Sequence, residues 1–436
     1  MTLKPFGLAL CAVSLTTPMI WFPEIAKGRD AIALFSQYLG IWALIAMALA
    51  QIIATRLRLV ESLFGGLDRS YKLHKWLGIG AMVAILLHDT IDAEMRGLGA
   101  ETLLVEVAET AGELSLYGLL ILVIITIATF IPYHLWRWTH KLMGFFFVAG
   151  AFHYLFILKP FANNDPLGLY TAAFCVVGIL AFLYRYLPPS LRPSHAYEIS
   201  QIAPTGAALS ISLKPQGRGL RHRAGQFAFI SFNGGEPHPF TISQAPQDDR
   251  ALRVSVAPLG DDTHRFAQRL KPGTRAQIEG PFGRFERPHR APRELWIAGG
   301  IGITPFLAWA GAKQDETPVD LIYCVREASQ AAHLEELRQL AKTAPNLTLH
   351  IYESARSGRL TAESALQLAE ADVSDLTVSF CGPAAMRQSL AHDFGRLGLS
   401  ATKFRYELFE IRTGLGLRAL SGWVQKRISK DLNNMG

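Results

Sequence analysis

Residues 72–90 read KLHKWLGIGAMVAILLHDT and residues 139–156 read THKLMGFFFVAGAFHYLF, each placing two histidines in an apolar run. His74 and His88 are 14 positions apart, and His140 and His153 are 13 apart. At about 3.6 residues per turn both spacings are close to four turns, so each helix presents two imidazoles on nearly one face, about 20 Å apart. A polar ring in hydrocarbon is costly and needs a partner or a metal. These four residues therefore decide what the surrounding helices are for.

Working outward, apolar runs of about 20 residues, enough to cross a hydrocarbon core of about 30 Å, fall near residues 5–22, 31–54, 73–91, 114–131, 135–158 and 167–187. The first has one Lys and no evident small-residue cleavage site, so it reads as a span and not a signal peptide. Lys and Arg set the orientation. Arg56, Arg58, Arg69, Lys72 and Lys75 precede or open the third span, and Arg137 and Lys141 open the fifth, so both regions face the cytoplasm. The link between the third and fourth spans carries Asp92, Glu94, Glu101, Glu106, Glu109 and Glu113 against Arg96, and faces outward. It either draws cationic species or only sets the topology. Both termini are then cytoplasmic in a multi-pass protein of the inner membrane.

The topology gives an independent check on the histidines. Both histidine-bearing helices enter from the inner side, so His74 and His140 share the inner level while His88 and His153 share the outer one. Each pair suits the two axial positions of one haem, with no iron position left open. Hydrogen bonding of each histidine to a neighbouring helix is the plainer alternative, but four at matched depth favour the metal.

Composition agrees with a membrane portion. The 436 residues amount to about three domains of roughly 150. Half are apolar and 18% charged, which excludes disorder and an all-soluble enzyme. Cys11, Cys175, Cys324 and Cys381 form no CxxC pair, so neither a thiolate-held cluster nor a disulfide framework is supported. The net charge of +7 gathers beside apolar segments, where lipid headgroups explain it, and nucleic acid is set aside.

After the last span, Pro188, Pro189, Ser190, Leu191, Arg192 and Pro193 read as a linker. Short alternating runs then follow, at 208–213, 226–232 and 252–257, split by Gly and Pro turns, which predicts a small antiparallel barrel. Within it stand His238-Pro239-Phe240-Thr241-Ile242-Ser243 and Gly280-Pro281-Phe282-Gly283. Next, an apolar strand at 294–298 enters Gly299-Gly300-Ile301-Gly302-Ile303-Thr304-Pro305, a geometry that lets backbone amides approach a phosphate. Strands at 319–325, ending at Arg326, and 376–380, ending at Cys381-Gly382-Pro383, alternate with helical stretches at 331–342 and 384–397. That alternation predicts a parallel sheet with ligands at the strand carboxyl ends. Arg326 is placed to clamp a ribose 2′-phosphate, favouring NADPH, whereas Glu327 beside it suits the free hydroxyl of NADH.

The histidine order and spacing resemble the ferric reductase-like transmembrane domain shared by NADPH oxidases and ferric reductases, whose third and fifth spans hold two stacked b-type haems. The resemblance implies that His74 with His140 holds the inner haem and His88 with His153 the outer. HPFTIS and GPFG resemble the FAD domain of the ferredoxin reductase type, which implies a flavin site at His238, Pro239, Phe240, Thr241, Ile242, Ser243, Gly280, Phe282 and Gly283. There Thr241 and Ser243 are the candidate hydroxyls for the flavin N5 side. Many relatives carry Arg where His238 stands, so pairing with the pyrophosphate is not carried over to it. GGxGxTP resembles the family's pyridine-nucleotide motif, implying NADPH or NADH at Gly299, Gly300, Gly302, Thr304, Pro305, Arg326, Cys381, Gly382 and Pro383.

By the same resemblance Thr241, Cys381 and Phe409 are the residues nearest the chemistry, with a buried small residue the plain alternative for Cys381 and a core strand position that for Phe409. The strand at 406–412 resembles the family's carboxy-terminal element. The implied organisation is a six-helix transmembrane di-haem domain (1–190), an antiparallel β-barrel FAD domain (191–291), an α/β parallel-sheet NAD(P) domain (292–412) and a basic amphipathic extension (413–436) that touches the membrane or caps the nucleotide domain. The implied activity moves electrons from cytoplasmic NAD(P)H through FAD and two b haems to oxygen or ferric iron outside. No regulatory subunit is evident. The alternative class is a transporter or channel governed by a nucleotide-binding domain, which requires polar residues along a pathway and helices broken at mid-membrane.

Overall fold

The computed structural model describes residues 4–91, 98–128, 131, 133–188, 191–258, 263, 266, 268–288, 291–312 and 316–407. The chain forms two compact units, which divide between Leu187 and Pro188.

The first unit is helical: α1 (Pro5–Thr16), α2 (Phe22–Ile25), α3 (Ala31–Ala54), α4 (Arg58–Phe64), α5 (Leu67–Thr90), α6 (Leu103–Ile127), α7 (Tyr133–His140), α8 (Met143–Phe156) and α9 (Pro166–Tyr186). Local chemistry sets the ends. Asp30 accepts the free N–H groups of Ile32 and Ala33 at 2.9 Å and starts α3. Gly65 closes α4 in the left-handed region (φ 92°), where a side chain is disfavoured. α5 and α9 pack along α3, and α8 packs along α6. Close approach relies on small residues: a Cβ on Gly178 would lie 2.7 Å from the Phe147 ring.

Among the described residues four stretches, Pro5–Ile25, Ala31–Ala54, Leu103–Ile127 and Pro166–Tyr186, are long and apolar enough to cross a membrane. The expected six is therefore not reached on length and composition. α5 has the length, but Asp68, Arg69, Lys72 and Lys75 occupy its first turns. The fifth run divides at Lys141–Leu142 into α7 and α8, each too short alone. A second correction concerns the acidic link. Glu106, Glu109 and Glu113 belong to α6, because Thr102 caps the Val105 N–H and glutamates are favoured at the positive end of a helix.

The second unit contains two sheets. The first is antiparallel with order β4-β3-β6-β1-β2-β5, from β1 (His195–Thr205), β2 (Ala208–Pro215), β3 (Phe227–Phe232), β4 (His238–Thr241), β5 (Leu252–Val256) and β6 (Arg275–Phe282). It is an open sheet and not the expected closed barrel: its edge strands meet at a single bridge, Ile242 to Val254. β4 has four residues and includes Pro239, which has no N–H to give, so the seam stays short.

The second sheet is parallel with order β11-β10-β7-β8-β9, from β7 (Arg293–Gly299), β8 (Val319–Val325), β9 (Leu347–Glu353), β10 (Leu376–Cys381) and β11 (Phe404–Tyr406). Every residue of β8 is buried, as in a sheet covered on both faces. Its helices include α10 (Thr304–Ala310), α11 (Leu334–Thr343), α12 (Ser354–Ser357), α13 (Ala362–Ala369) and α14 (Ala384–Arg396).

An aromatic core joins the two sheets. Trp296 stacks on Phe306 at 5.7 Å, and Trp309 stands edge-on to both at 5.2 Å. Phe285, from the end of the antiparallel domain, lies 4.8 Å from Trp309, whose indole N–H donates to Ala224 O. Trp309→Ala should lower stability by about 3–5 kcal/mol, read as an earlier thermal unfolding of the full chain by tryptophan fluorescence. An unchanged transition would show that this core does not hold the sheets together.

Candidate functional site

In the order β9-β8-β7-β10-β11 the chain adds strands first to one side of β7 and then to the other, so β7 and β10 flank the switch point where open α/β sheets bind ligands. β7 ends at Gly299 and β10 at Cys381, joining both glycine-containing motifs at one edge. Their backbones touch. A Cβ on Gly302 would collide with the carbonyl of Cys381, and one on Gly299 would lie 2.8 Å from Pro383 Cδ. Gly300 differs: it is left-handed (φ 55°) with nothing within 4 Å of its would-be Cβ, so its backbone lies open to a ligand. Thr304 spends its hydroxyl on Ile301 O at 3.1 Å, and Pro305 sits in the first turn of α10.

Cys381 is buried, and burial pushes its thiol well above the ordinary range, with the nearby Glu407 charge adding to the shift. It is a neutral thiol at physiological pH. Glu407 itself is a buried carboxylate that the sequence reading passed over; a Cβ on Gly283 would stand 2.8 Å from its Oε1. Its carboxylate stands beside the GPFG turn and its charge acts on Cys381. The available signal was a glutamate within an apolar strand, two positions before Phe409. Phe409 and residues 413–436 lie outside the described residues.

Arg326 and Glu327 both follow β8 and are exposed. The Arg326 side chain makes no ion pair or hydrogen bond among the described residues, while its carbonyl takes the Ala355 N–H at 3.1 Å. That bond fixes the turn on which both side chains stand.

In the antiparallel sheet, β4 pairs with β3 and places Thr241 opposite Phe227. His238 and Phe240 lie with Phe266, at ring separations of 5.6 and 6.3 Å, and Ile242 continues into the sheet core. Ser243 is fully buried and donates to Arg253 O at 3.2 Å, so its hydroxyl serves the fold. Thr241 makes no side-chain hydrogen bond among the described residues and remains the available hydroxyl. Gly280 and Gly283, with φ of 149° and 90°, bracket Phe282, whose ring packs on Phe227 and Phe229.

In the helical unit three of the four histidines use Nδ1 on a main-chain carbonyl: His74 on Ala50 at 3.0 Å, His88 on Ser36 at 2.9 Å, and His153 on Ala108 at 2.9 Å. A carbonyl can only accept. Nδ1 therefore carries the proton, leaving Nε2 its lone pair. The His140 Nδ1 is buried without a hydrogen-bond partner among the described residues, and its ring lies 6.1 Å from that of His74. His88 and His153 both line a cavity of about 320 Å³ with Asp89, Glu109, Glu113 and Lys159. Missing side chains make room for the rings: a Cβ on Gly112 would lie 2.6 Å from His153 Nδ1, and one on Gly40 would lie 3.4 Å from His88 Nε2. Among the described residues no three His, Cys, Asp or Glu side chains converge to hold a bare metal ion.

The switch-point loops and the antiparallel sheet beside them match models of oxidoreductase NAD-binding and FAD-binding domains, and an apolar helical unit precedes them in the chain. Family models match in order: the ferric reductase like transmembrane component at residues 39–151, an FAD-binding domain at 200–288 and an oxidoreductase NAD-binding domain at 296–392. That succession gives the chain the architecture of the NADPH oxidase and ferric reductase superfamily, as a multi-pass membrane protein.

Relatives include the carnitine monooxygenase reductase subunit of Escherichia coli (strain K12), 28% identical over 44% of this chain and 60% of that protein. The vanillate O-demethylase oxidoreductase of Pseudomonas putida is 29% identical over 39% of this chain and 53% of its own length. The chain thus spans little more than half the length of these curated relatives. Among solved structures, the FAD/NAD-binding domain of a nitric oxide dioxygenase from Vibrio cholerae O1 biovar El Tor aligns with 25% identity and a TM-score of 0.44, covering 50% of this chain and 99% of that domain.

Gly302→Ala should weaken NADPH binding by at least about tenfold, or about 1.4 kcal/mol, with FAD content unchanged, because the added methyl forces the two loops apart. Titrating flavin reduction against NADPH checks this, and parent-like affinity would mean that the loops tolerate separation.

Proposed function

We propose that the chain carries electrons from cytoplasmic NAD(P)H across the membrane, with FAD and two b-type haems bound, to an acceptor at the outer face, oxygen or ferric iron. When bound, the flavin accepts two electrons from the nicotinamide and releases them singly, and each haem carries one. The observation that carries the reading is the arrangement of the four imidazoles. Three are held as the tautomer that leaves Nε2 free to ligate. The His74 and His140 rings stand 6.1 Å apart, so the two would hold one haem between them, which would supply a one-electron carrier there. The buried, unpartnered Nδ1 of His140 and the space left at Gly40 and Gly112 fit the same use. His74 with His140 holds the inner group, and His88 with His153 the outer.

The remaining residues have separable tasks. Thr241 offers its hydroxyl to the flavin. Gly300 admits the nucleotide phosphates, and Arg326 pairs with the 2′-phosphate of NADPH. Cys381, a neutral thiol, packs at the nicotinamide end, within the field of the Glu407 carboxylate. At the outer cavity Asp89, Glu109 and Glu113 attract cations. A transporter is disfavoured because α3, α5, α6 and α9 run unbroken.

Pyridine haemochrome analysis of the purified protein should give two haems per chain, and His88→Ala or His153→Ala should remove one. A single haem in the unaltered protein would sink the paired-level arrangement. Arg326→Ala should raise KM for NADPH by about tenfold or more with NADH nearly unaffected; an equal loss for both donors would take Arg326 out of its role. Anaerobic reduction with NADPH, then oxygen or a ferric chelate while haem reoxidation is followed, identifies the acceptor.

A further inference from the structure

The two sheets of the second unit are also joined at a distance from their aromatic core. His333, immediately before α11, has a left-handed backbone (φ 58°, ψ 24°), which a residue with a Cβ keeps only where its surroundings hold it. Its N–H donates to Thr205 Oγ1 at 2.6 Å, at the end of β1. The neighbouring turn is as tight: Ala207 N–H donates to Gln330 O at 3.1 Å, and a Cβ on Gly206 would lie 2.7 Å from that oxygen.

The His333 side chain is buried and bonded at both nitrogens. Nε2 lies 2.7 Å from Ser255 Oγ on β5, and Nδ1 lies 3.2 Å from Glu336 on α11. The Glu336 carboxylate also receives both terminal nitrogens of Arg253, again on β5, at 2.8 and 2.9 Å. From there two routes reach one residue. Ser255 donates to Ser243 Oγ at 3.1 Å, and Arg253 donates to Ser243 O at 3.0 Å. Ser243 is two positions beyond Thr241, in the run that ends β4. A helix of the nucleotide domain is thus bonded through four side chains to the strand bearing the candidate flavin hydroxyl.

Serine, histidine and glutamate in this order imitate a hydrolytic triad. Ser255 is 5% exposed and already donates to Ser243, so an acyl substrate has no access to it. The network is also firmly charged. Burial alone would raise the Glu336 carboxyl, but the hydrogen bonds and charges of His333 and Arg253 bring it down to about 2. It stays ionised at any working pH, and its bonds are charge-assisted.

We propose that His333 is a positioning residue for flavin reduction: by bridging Ser255 to Glu336 it fixes the nucleotide sheet against the strand carrying Thr241. Transfer of hydride needs the two rings almost in contact, and a displacement of about 1 Å can cost about a hundredfold in rate. The aromatic core sets one line of contact between the domains. A second line, at His333, removes the remaining freedom to rock.

The inference rests on the oxidoreductase reading, which reduction of the flavin in the parent protein by NADPH tests by itself. Given that activity, the full-length protein in detergent is compared with His333→Asn, since Asn tolerates the left-handed backbone but is too short to bridge both partners. In anaerobic stopped-flow the maximal rate of flavin reduction should fall at least about tenfold, with FAD content and the NADPH concentration for half-maximal rate unchanged. Glu336→Gln should show the same loss, and the double variant should be no worse than either alone. A rate within twofold of the parent overturns the proposal. So does a loss that appears as weaker NADPH binding or lost FAD, and so do additive losses in the double variant.

Discussion

Two main-chain loops meet at the carboxyl ends of β7 and β10 so closely that no side chain fits between them, and the proposed nucleotide site depends on that contact. Gly302 lies against the Cys381 carbonyl, and Gly382 against the backbone of Gly299. With these positions consumed by packing, the one glycine left facing open space is Gly300, whose left-handed backbone turns the chain away from β7. The fold thereby spends three glycines on the approach of its own strands and reserves one for a ligand. The parallel order imposes the geometry, since the switch of direction at β7 sets the carboxyl ends of β7 and β10 side by side.

The helical unit faces a different constraint. An imidazole in an apolar bundle has two nitrogens to satisfy, and helices offer few spare acceptors. The carbonyls of Ser36, Ala50 and Ala108, on α3 and α6, take one nitrogen from each of three rings. The second nitrogen is then a lone pair that meets no donor among the described residues, which is the condition a metal ligand must meet. Glycines at 40 and 112 belong to the same design, because any side chain there would press on the rings.

Much of this was legible beforehand. Strands at 319–325 and 376–381 stand where apolar runs bounded by Gly, Pro and Arg predict them, and family models fall on the halves in which the motifs lie. Other features were not. Glu106, Glu109 and Glu113 read as an acidic loop because charge was weighed against hydropathy, yet a capped helix carries them, bringing Glu109 and Glu113 to the cavity shared by His88 and His153. The barrel was inferred from strand count, whereas closure depends on the edge strands, and β4 is too short to close it.

The sequence by itself determined the strands of the parallel sheet, where the glycines must lie, and that four histidines share two apolar runs. Such properties follow from spacing and from local steric rules. Only the tertiary structure decided which polar groups pair. Arg253 on β5 meets the Glu336 carboxylate, and His333 joins Ser255 to Glu336 across some eighty positions of chain. Neither pairing leaves a local pattern, because a buried charge is tolerated only where a distant strand supplies its partner, and folding alone brings that strand within bonding distance.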